Sequence, residues 1–573
     1  MKDRVILGIT AFNHDSSACI ICNGKVVAFC EEERFNGVKH TNAFPTKSID
    51  YCLASAKLKM EDITDVAYYF NPVKCVISYL KHNNPLFFFS DATVFFRKRF
   101  YFELVWLADF INKIVTIRRH VNRTAKIHYI DHHVAHTWYG YYSSGFKDCV
   151  VLSNDSVGED ISTLAVKFSK TEKSIETSTL IKQYDPQSLG YLYGAVTEYL
   201  GFKRGEGEGR VMALASFGNR ALVDNFLSEV RLLPKGCFSF SRNLLLNRNF
   251  QSGGHRLGVK IRELIGNKRR SSDELTQNHY NVSRAVQEVY EKISFHQLNY
   301  LVDYADKLVL TGGVAQNSVF NGKASNAYQN KEFFIPPITN DAGCSLGAAV
   351  YLCYQLEGYL PALTETSLLG PEYNDEEIVA ILKNNLISYE FLDNPVEFCV
   401  KMLGQSKVIG VFRGKMECGP RALCNRSILA NPADPEMRNY LNHHVKYREP
   451  FRPYGGFMKA DDVKELLIHK SIYEKGPYMT YVYDVKPEWY DRIPSLVHID
   501  KTCRVQLIDQ NGDKFLLDLL KRFKEVTKIP IIINTSMNLR GYPIARAPSD
   551  ALSTFYTSGM DFLLFNNRIL IKK

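Results

Sequence analysis

Long hydrophobic runs are what this 573-residue sequence most clearly lacks. No stretch reaches the roughly 18 consecutive apolar residues that a membrane-spanning helix needs. The most apolar stretch, residues 86–110, is interrupted by Asp91, by a basic run at 97–99 and by Glu103, and we interpret it as helices that cap a domain. Residues 1–12 read as a buried strand rather than a secretory signal. We therefore expect a cytoplasmic protein with no membrane partner.

The sequence also lacks a disulfide pattern and a low-complexity basic tail. Its 13 cysteines are scattered and odd in number, as expected for reduced thiols in a cytosol. Cys19 and Cys22 form a Cys-x-x-Cys pair, but we place them on strands around an Asn23-Gly24 hairpin turn, not in a redox or zinc site. The net charge of +10 suits either nucleic acid or anionic small substrates. Without a basic tail, the charge does not favour a nucleic-acid partner.

The length and pattern of the chain predict more than one α/β unit. At roughly 100 to 200 residues per domain, about three to five structural units are expected. A predicted hairpin followed by helices recurs as a strand-turn-strand near residues 148–170, so we expect an α/β domain in two related halves. The sequence has no repeat with the period of a solenoid. Its character changes at Leu368–Tyr373, which we interpret as a linker before a second α/β unit.

The motif DHHVAHTWYG at residues 131–140 places three histidines within five positions. Residues four apart share a face of a helix, so His132 and His136 can reach one ion while His133 points elsewhere. A zinc protease would need a glutamate directly after the first histidine as general base, and that position is occupied by His133. Histidines that are simply hydrogen-bonded are the commoner outcome for an isolated pair of this spacing. The motif alone therefore leaves metal binding open.

Glycine-rich turns and arginines mark the other candidate sites. The stretch GEGEGR at 205–210 predicts a loop before a helix, and TGGVAQN at 311–317 predicts a turn that presents backbone N–H groups to phosphate. In the C-terminal part, basic residues recur in loop-rich contexts. Because arginine grips phosphate oxygens with two hydrogen bonds, a convergent set would bind a polyanion such as a nucleoside triphosphate. These basic residues are Arg413, Arg421, Arg426, Lys446, Arg448, Arg452, Arg504 and Arg540.

Several stretches taken together identify a family. In chain order they are AFNHDSSACIICNGKVVAFCEEERF, DHHVAH, GEGRVMALASFG, TGGVAQNSVFNGK, DAGCSLGAA, GPRALCNRSILANP, VKYREPFRPY, HIDKTCRVQ and NTSMNLRGYPI. In this order they resemble the carbamoyltransferases of the nodulation and antibiotic-tailoring type, such as the tobramycin and cephamycin O-carbamoyltransferases. The resemblance covers nearly the whole chain.

The resemblance implies two domains and a two-step reaction. Residues 1–365 would form a Kae1-like domain, a duplicated ribonuclease-H-like α/β domain of the actin and hexokinase class. Residues 366–573 would form a YrdC-like open twisted α/β domain that converts carbamoyl phosphate and ATP, with Mg, to carbamoyl adenylate. The first domain would then pass the carbamoyl group to a hydroxyl of a small natural-product acceptor. A hydroxyl on an aminoglycoside, a sugar, a β-lactam side chain, a polyketide or an alkaloid fits the same chemistry.

The resemblance also implies a metal site and a base. His132 and His136 match metal-binding histidines, and Asp155 and Asp341 match their carboxylate partners. Such a ligand set suits Fe(II), with Mn(II) or Zn(II) as alternatives, and His133 would be structural. The catalytic candidates are His14, as the base that deprotonates the acceptor, and Asp15, which orients the ring or contacts the ion.

Further expected site residues bind the nucleotide. The residues expected to bind carbamoyl adenylate in the first domain are Gly207, Gly209, Arg210, Gly312, Gly313 and Asn317. Those expected to bind ATP and carbamoyl phosphate in the second domain are Arg421, Lys446, Arg448, Arg452, Arg504, Asn534, Ser536 and Arg540.

Two departures and three alternatives accompany this assignment. Ser156 and Cys424 each stand where the family has glycine, which puts the geometry of the two loops in question. The first alternative is a related acyl-adenylate enzyme of the threonylcarbamoyl type that acts on tRNA, but the order and fusion of the domains and the 61 acidic residues against 71 basic ones weaken it. The second is a non-catalytic nucleotide-binding protein of the actin-like class. A bare metal hydrolase is disfavoured because no base follows His132.

Overall fold

A computed structural model describes residues 4–74, 109, 111–249, 254–469, 471 and 476–572. The apolar stretch at 86–110, interpreted above as capping helices, lies outside the described residues apart from Asp109. Within the described ranges, no helix combines the length and the apolar character needed to cross a membrane. All cysteines of the described chain are free thiols.

The N-terminal part, through residue 357, alternates strands with helices. Its strands are β1 (Val5–Thr10), β2 (Ser17–Cys22), β3 (Lys25–Glu31), β4 (Asp65–Tyr68), β5 (Lys126–Tyr129), β6 (Asp148–Asn154), β7 (Ile161–Lys170), β8 (Ile175–Tyr184), β9 (Val230–Leu232), β10 (Phe238–Phe240), β11 (Leu245–Asn249), β12 (Gly254–Leu257), β13 (Lys307–Thr311) and β14 (Glu332–Phe334). Its helices are α1 (Glu33–Asn36), α2 (Thr46–Ala56), α3 (His132–Ser144), α4 (Leu189–Tyr199), α5 (Glu208–Leu214), α6 (Val223–Leu227), α7 (Val259–Ile265), α8 (Gln277–Leu301), α9 (Ser318–Ala327) and α10 (Gly343–Glu357).

Two five-stranded sheets of this part have the same topology. The first has the order β3-β2-β1-β4-β5 and the second the order β8-β7-β6-β13-β14. In each, three antiparallel strands connected in sequence are extended beside the first strand by two parallel strands. The two related halves predicted from the sequence are therefore confirmed. The predicted Asn23-Gly24 turn is confirmed too, because both residues have positive φ angles between β2 and β3.

Two helices fill the space between these sheets. Helix α3 packs on β6, β7 and β13 of the second sheet, and α10 packs on β1, β2 and β4 of the first. The helices also pack on each other, and a Cβ atom on Gly347 of α10 would lie 1.9 Å from the carbonyl oxygen of Ala135 in α3. This close approach requires glycine. It brings the start of α3 and the start of α10, which carry the predicted metal ligands, to one place.

The C-terminal part forms one mixed sheet. Its strands are β15 (Glu390–Phe391), β16 (Ile409–Phe412), β17 (Arg426–Ala430), β18 (Gly455–Lys459), β19 (Leu467–Ile468), β20 (Tyr481–Val485), β21 (Thr502–Ile508), β22 (Ile531–Ser536), β23 (Phe562–Phe565) and β24 (Arg568–Ile571). Its helices are α11 (Asp375–Asn384), α12 (Pro395–Gly404), α13 (Met437–Tyr440), α14 (Val463–Leu466), α15 (Lys514–Thr527) and α16 (Pro548–Tyr556). The ten strands run in the order β15-β24-β23-β16-β17-β22-β18-β21-β20-β19.

The two parts are in close contact. In the predicted linker, Leu369 is buried and its carbonyl accepts hydrogen bonds from Phe29 N–H and the Tyr51 hydroxyl. Gly370 N–H in turn donates to Met416 of the C-terminal part. Elsewhere, Gly322 of α9 lies against β20, where a Cβ atom would be 1.8 Å from the carbonyl oxygen of Val482. The domain boundary at 365/366 stays a prediction.

Candidate functional site

The six predicted catalytic and metal-binding residues converge where the two sheets meet. Asp155 directly follows β6, and Asp15 lies in the hairpin that follows β1, the equivalent strand of the other sheet. Asp341 precedes α10, and the histidines occupy the first two turns of α3. The duplicated topology therefore supplies one carboxylate from each half, and the two packed helices supply the remaining ligands.

The three histidines of α3 have different environments. Both ring nitrogens of His133 are satisfied, Nδ1 by the Ser153 hydroxyl at 2.9 Å and Nε2 by the Ile161 carbonyl at 2.8 Å. Burial and the neighbouring His132 lower the pKa of His133 well below its ordinary value, so it is a neutral structural residue. Neither ring nitrogen of His132 has a hydrogen-bond partner within the described residues, although its side chain is buried. Sequence spacing predicted this division, and the hydrogen bonds agree with it.

The buried carboxylates face the two other histidines. Asp155 Oδ2 lies 3.0 Å from Nε2 of His136 and 3.5 Å from Nε2 of His132. Asp341 Oδ1 lies 3.6 Å from Nε2 of His136 and 3.7 Å from that of His132. One ligand atom from each of the four residues fits within a group whose members are all within 4.8 Å of one another. Burial raises the pKa of Asp155, but the two histidines outweigh burial and hold it well below its ordinary value.

This arrangement fits a divalent cation. Two imidazoles and two carboxylates are a suitable donor set for Fe, Mn or Zn, and unpartnered buried ring nitrogens are costly unless a ligand satisfies them. His132 supplies two such nitrogens and His136 Nδ1 a third. The ion's identity is not fixed by these residues.

A chain of three side chains leads into the site. His40 Nδ1 lies 2.6 Å from Oδ1 of Asp15, whose Oδ2 lies 3.0 Å from Nδ1 of His14. The other ring nitrogen of His14 lies 3.8 Å from Asp341, and 53% of the His14 side chain is exposed. Burial raises the pKa of Asp15, but its hydrogen bonds with both histidines outweigh burial and hold that pKa well below the ordinary value. Asp15 therefore fixes the His14 ring as a carboxylate.

The charge of Asp341 controls the protonation of His14. It raises the pKa of His14 to about 10, against the opposing effect of desolvation. Solvent around the half-exposed ring screens part of this interaction. A cation held by Asp341 would compensate the same charge and return His14 toward its ordinary pKa, where an imidazole accepts a proton at neutral pH.

Backbone strain is concentrated beside this chain. Phe12, Asp15 and His40 have φ angles of 76°, 56° and 52°, in the left-handed region that non-glycine residues rarely occupy. Such residues cost about 1–3 kcal/mol each and persist only where the surroundings impose them. The hydrogen bonds of Asp15 with His14 and His40 are part of those surroundings.

A second cluster is composed of cations. Burial lowers the pKa of Arg504 well below its ordinary value, and the nearby charges of Arg421, Arg448 and Arg452 lower it further. The pKa of Arg452 falls to about 9, first through burial and then through Arg448 and Arg210. These residues come from separate elements: Arg210 lies in α5, Arg504 in β21, and the others in loops. We name Arg210, Arg421, Lys446, Arg448, Arg452 and Arg504 the cationic cluster.

Most members of the cationic cluster have hydrogen-bond donors without an acceptor among the described residues. Neither Arg421 nor Arg504 makes a hydrogen bond or ion pair that can be identified in the described chain, and the buried Nε atoms of Arg504 and Arg210 have no hydrogen-bond partner there. Lys446 differs, because its ammonium donates to the carbonyls of Ser536 and Asn538 at 2.6 and 2.7 Å. Guanidinium groups that repel one another and lack acceptors form a site for an anion.

One acid lies at the edge of the cationic cluster. Glu449 is 3.8 Å from both Arg210 and Arg452, and 3.2 Å from Arg540. Arg540, predicted to bind ATP, is exposed and is joined to the cluster through this carboxylate. Arg210, predicted to act in the N-terminal domain, is thus placed with cations of the C-terminal part.

The loop that carries Arg421 is held by a buried carboxylate. Glu417 Oε1 accepts hydrogen bonds from the backbone N–H groups of Leu423, Asn425 and Arg426 at 2.8, 2.7 and 3.0 Å. Its sequence position gave no signal of this role, because a glutamate that binds backbone has no characteristic spacing. Residues 413–425 contain no helix and form the loop between β16 and β17.

The two departures from the family pattern have different consequences. Ser156 has an ordinary negative φ, and its N–H donates to Asp155 Oδ1 at 2.6 Å, so no glycine is required there. Cys424 has a φ of 79°, which explains why glycine suits that position. The Cys424 thiol is buried beside Asn534, whose Nδ2 lies 3.1 Å from Sγ and also donates to the Ala422 carbonyl. Asn534 thus holds the Arg421 loop through its contacts with Ala422 and Cys424.

The remaining predicted glycine and asparagine residues lie near the sites in different ways. Gly313 N–H donates to Asp155 Oδ2 at 3.3 Å, which places the 312–313 turn beside the metal ligands. Gly312 packs on the Asn154 backbone, where a Cβ atom would be 2.1 Å from a carbonyl oxygen. Asn317 caps α9 and exchanges hydrogen bonds with Gln287. Gly207 precedes α5, and Gly209 has open space around it. Their nucleotide contacts stay predictions.

Sequence reasoning missed the residues that link the two clusters. Lys39 lies near the cationic cluster, where its charge and that of Arg452 contribute to lowering the pKa of Lys446, after burial and Arg448. The next residue, His40, holds Asp15. The run VKH at 38–40 carried no periodicity or spacing signal, and only the folded loop reveals that it reaches both sites.

Two solved structures are distantly similar to this chain. Component A of (R)-2-hydroxyglutaryl-CoA dehydratase from Acidaminococcus fermentans aligns over 61% of this chain and 97% of its own, with a TM-score of 0.30 and 13% identity. HypF from T. kodakarensis aligns over 63% of this chain and 48% of its own, with a TM-score of 0.31 and 11% identity. Similarity at this level supports no functional conclusion.

Two sequence relatives match over almost the full length of this chain, and a third matches over less than half of it. Nodulation protein NolNO of Sinorhizobium fredii is 30% identical over 98% of this chain and 79% of its own. An uncharacterised protein of Synechocystis sp. is 30% identical over 99% of this chain and 96% of its own. Nodulation protein U of Rhizobium tropici is 32% identical over 41% of this chain and 39% of its own.

Family-level comparison covers both parts of the chain. Residues 5–350 match the carbamoyltransferase N-terminus, and residues 400–573 match the carbamoyltransferase C-terminus. The first match includes every residue of the His/Asp site, and the second includes most of the cationic cluster. The chain therefore belongs to the carbamoyltransferase family, and it is a transferase of carbamoyl groups.

Proposed function

We propose that this enzyme uses ATP and carbamoyl phosphate to make carbamoyl adenylate at the cationic cluster and transfers the carbamoyl group to a hydroxyl of a small natural-product acceptor at the His/Asp site. The observation that carries this proposal is the pairing of two sites of opposite electrostatic character in one chain. One has unpartnered cations suited to phosphates, and the other has carboxylates and imidazoles suited to a metal ion and a proton acceptor.

In the first proposed step, the two highly negative substrates, ATP and carbamoyl phosphate, bind at the cationic cluster. Water releases inorganic phosphate from carbamoyl phosphate, and an oxygen of the resulting carbamate attacks the α-phosphorus of ATP as pyrophosphate leaves. The cations of the cluster are in position before charge develops on the leaving phosphates, which is the condition for electrostatic catalysis. Arg421 and Arg504 supply donors that the protein itself does not use. ATP would enter with Mg²⁺, which offsets part of its charge.

The second step needs a base and an electrophile held together. His14 Nε2 takes the proton of the acceptor hydroxyl, whose oxygen attacks the carbamoyl carbon, and the bond from that carbon to the AMP oxygen breaks. Asp15 holds His14, and His40 holds Asp15, so the ring that accepts the proton is fixed in orientation. The N–H of Gly313 and the side chain of Arg210 are the groups proposed to hold the adenylate. A metal ion bound by His132, His136, Asp155 and Asp341 would supply a positive charge for the phosphate of the leaving AMP.

The division of labour follows the proposed domains. The duplicated N-terminal part would be a Kae1-like transfer domain, and the single mixed sheet a YrdC-like adenylate-forming domain. The acceptor would bind beside the exposed face of His14. We propose Fe(II) for the His/Asp site and a cytoplasmic location, in keeping with the free thiols.

The test is a two-part assay on the full chain. Pyrophosphate release is measured with ATP in the presence and absence of carbamoyl phosphate, and mass spectrometry follows carbamoylation in a panel of hydroxylated natural products. We expect pyrophosphate release only when carbamoyl phosphate is present, and a mass increase of one carbamoyl group on an acceptor. Equal pyrophosphate release in the presence and absence of carbamoyl phosphate would refute the adenylate step.

A further inference from the structure

A buried thiol lies against the histidine pair of the metal site. Cys344 is the second residue of α10, three positions after Asp341, and its side chain is completely buried. Its Sγ lies 4.0 Å from the His132 carbonyl, a long contact for a thiol donor. Neither the adenylate step nor the transfer step uses this group.

The same histidines can belong to two ligand sets. One ligand atom from each of His132, His136 and Cys344 forms a group whose members lie within 4.8 Å of one another, as do those of the set with Asp155 and Asp341. The unpartnered ring nitrogens of His132, whose side chain is 2% exposed, provide the independent sign that a ligand belongs here. Thiolate is the softest donor in proteins and selects Zn and similar ions, whereas carboxylate suits harder ions such as Mn.

We propose that Cys344, with His132 and His136, forms a second ligand set that captures thiophilic cations such as Zn²⁺ in place of the carboxylate-containing set. On binding, the Sγ–H bond breaks, its proton passes to solvent and an Sγ–metal bond forms. Two imidazoles and one thiolate leave a fourth position of a tetrahedral ion open. The consequence is that metal choice at this site depends on one cysteine. The inference rests on the proposed metal role of His132 and His136.

The experiment uses Cd²⁺ as a spectroscopic probe of thiolate and Mn²⁺ as a probe of the carboxylate set. The metal-free full-length protein is titrated with each ion under reducing conditions. Thiolate-to-Cd²⁺ charge-transfer absorption and Mn²⁺ electron paramagnetic resonance report the two modes. The variants are Cys344→Ser, Cys344→Ala, Asp341→Asn and the control Cys353→Ser, which removes another buried thiol of α10.

The wild type, Cys353→Ser and Asp341→Asn should each bind one equivalent of Cd²⁺ with charge-transfer absorption. Both Cys344 variants should lose this absorption. We expect the Cys344 variants to weaken Cd²⁺ binding by about 10- to 100-fold or more, the loss known for groups that merely support a ligand. Mn²⁺ binding should survive in the Cys344 variants and fail in Asp341→Asn.

Four outcomes would overturn the inference. Charge-transfer absorption that persists in Cys344→Ser and Cys344→Ala would assign the thiolate elsewhere, and absorption lost in Asp341→Asn would mean that the two sets are not separate. A wild type that binds Mn²⁺ without any Cd²⁺–thiolate absorption refutes this inference alone. A wild type that binds neither ion refutes the proposed metal site as well.

Discussion

The His/Asp site and the cationic cluster distribute charge in opposite ways. In the first, each carboxylate lies beside a histidine, and Asp155 and Asp15 are held ionised by hydrogen bonds. In the second, guanidinium groups lie beside one another and lower one another's pKa. The charges of the first site are largely paired within the protein, whereas the like charges of the second repel one another until an anion binds. Anion binding should therefore stabilise the C-terminal part more than acceptor binding stabilises the N-terminal part.

The sharpest way to separate the two sites is His14→Asn. Asparagine keeps hydrogen-bonding capacity but cannot accept a proton, so carbamoyl transfer should fall by about 10²- to 10⁴-fold, the usual contribution of general base catalysis. Pyrophosphate release should be unchanged. Both rates are measured with saturating acceptor at a fixed neutral pH. The control is His128→Asn on the edge strand β5, where the ring pairs with Asp65 away from the His/Asp site. Transfer at the wild-type rate in His14→Asn would place the base elsewhere.

The reciprocal variant is Arg421→Ala. Removing one preorganised donor to developing phosphate charge should slow carbamoyl phosphate-dependent pyrophosphate release by about 10²- to 10³-fold. Transfer from synthetic carbamoyl adenylate should be retained. Arg492→Ala, which removes an exposed arginine stacked on Trp489, is the matched control. Full pyrophosphate release by Arg421→Ala would contradict the assignment of the cationic cluster.

The adjacent residues His132 and His133 of α3 allow a predicted metal ligand to be compared with a structural histidine. His132→Ala should weaken metal binding by at least about 10- to 100-fold, since even changes to supporting groups have that effect. It should lower the thermal stability of the metal-free protein less than His133→Ala does, because His132 makes no ring hydrogen bond within the described residues.

His133→Ala should do the reverse. It removes the hydrogen bond to the buried Ser153 hydroxyl, at a cost of about 1–3 kcal/mol for an unpaired buried group. The Ile161 carbonyl loses the bond to His133 and keeps the one from Gly158 N–H. Thermal unfolding and metal titration of the two variants provide the measurement. Equal metal affinities for both would remove the distinction between ligand and structural histidine.

The smallest expected effect concerns the Arg421 loop. Cys424→Gly relieves a left-handed conformation, while Cys424→Ala keeps that conformation and removes the same thiol. The glycine variant should be more stable than the alanine variant by about 1 kcal/mol, the cost of a side chain in the left-handed region. Thermal midpoints compared side by side measure it. A less stable glycine variant would indicate that the backbone at Cys424 is not strained.

Sequence patterns predicted those features that depend on spacing or on order along the chain. The separation of His132 and His136 from His133 follows from helical periodicity, and the two related halves follow from a repeated order of strands. Glu417, Lys39 and His40 could not be found this way, because their roles depend on loops that bring distant backbone N–H groups and side chains together. The burial of Leu369 in the predicted linker could not be found from the sequence for the same reason, because it depends on contacts with both parts of the chain.

The contact between Gly322 and Val482 limits how such enzymes can be recombined. Because the smallest possible side chain would collide with the β20 backbone, the interface leaves no tolerance at this point. A chimaera that joins this N-terminal part to the C-terminal part of another enzyme must therefore preserve glycine at 322 and the path of the facing strand. We expect exchange of whole domains to fail because the interface around Gly322 would not fit, whatever the chemistry of the exchanged site. Grafting loops around His14 is therefore the better way to alter acceptor preference.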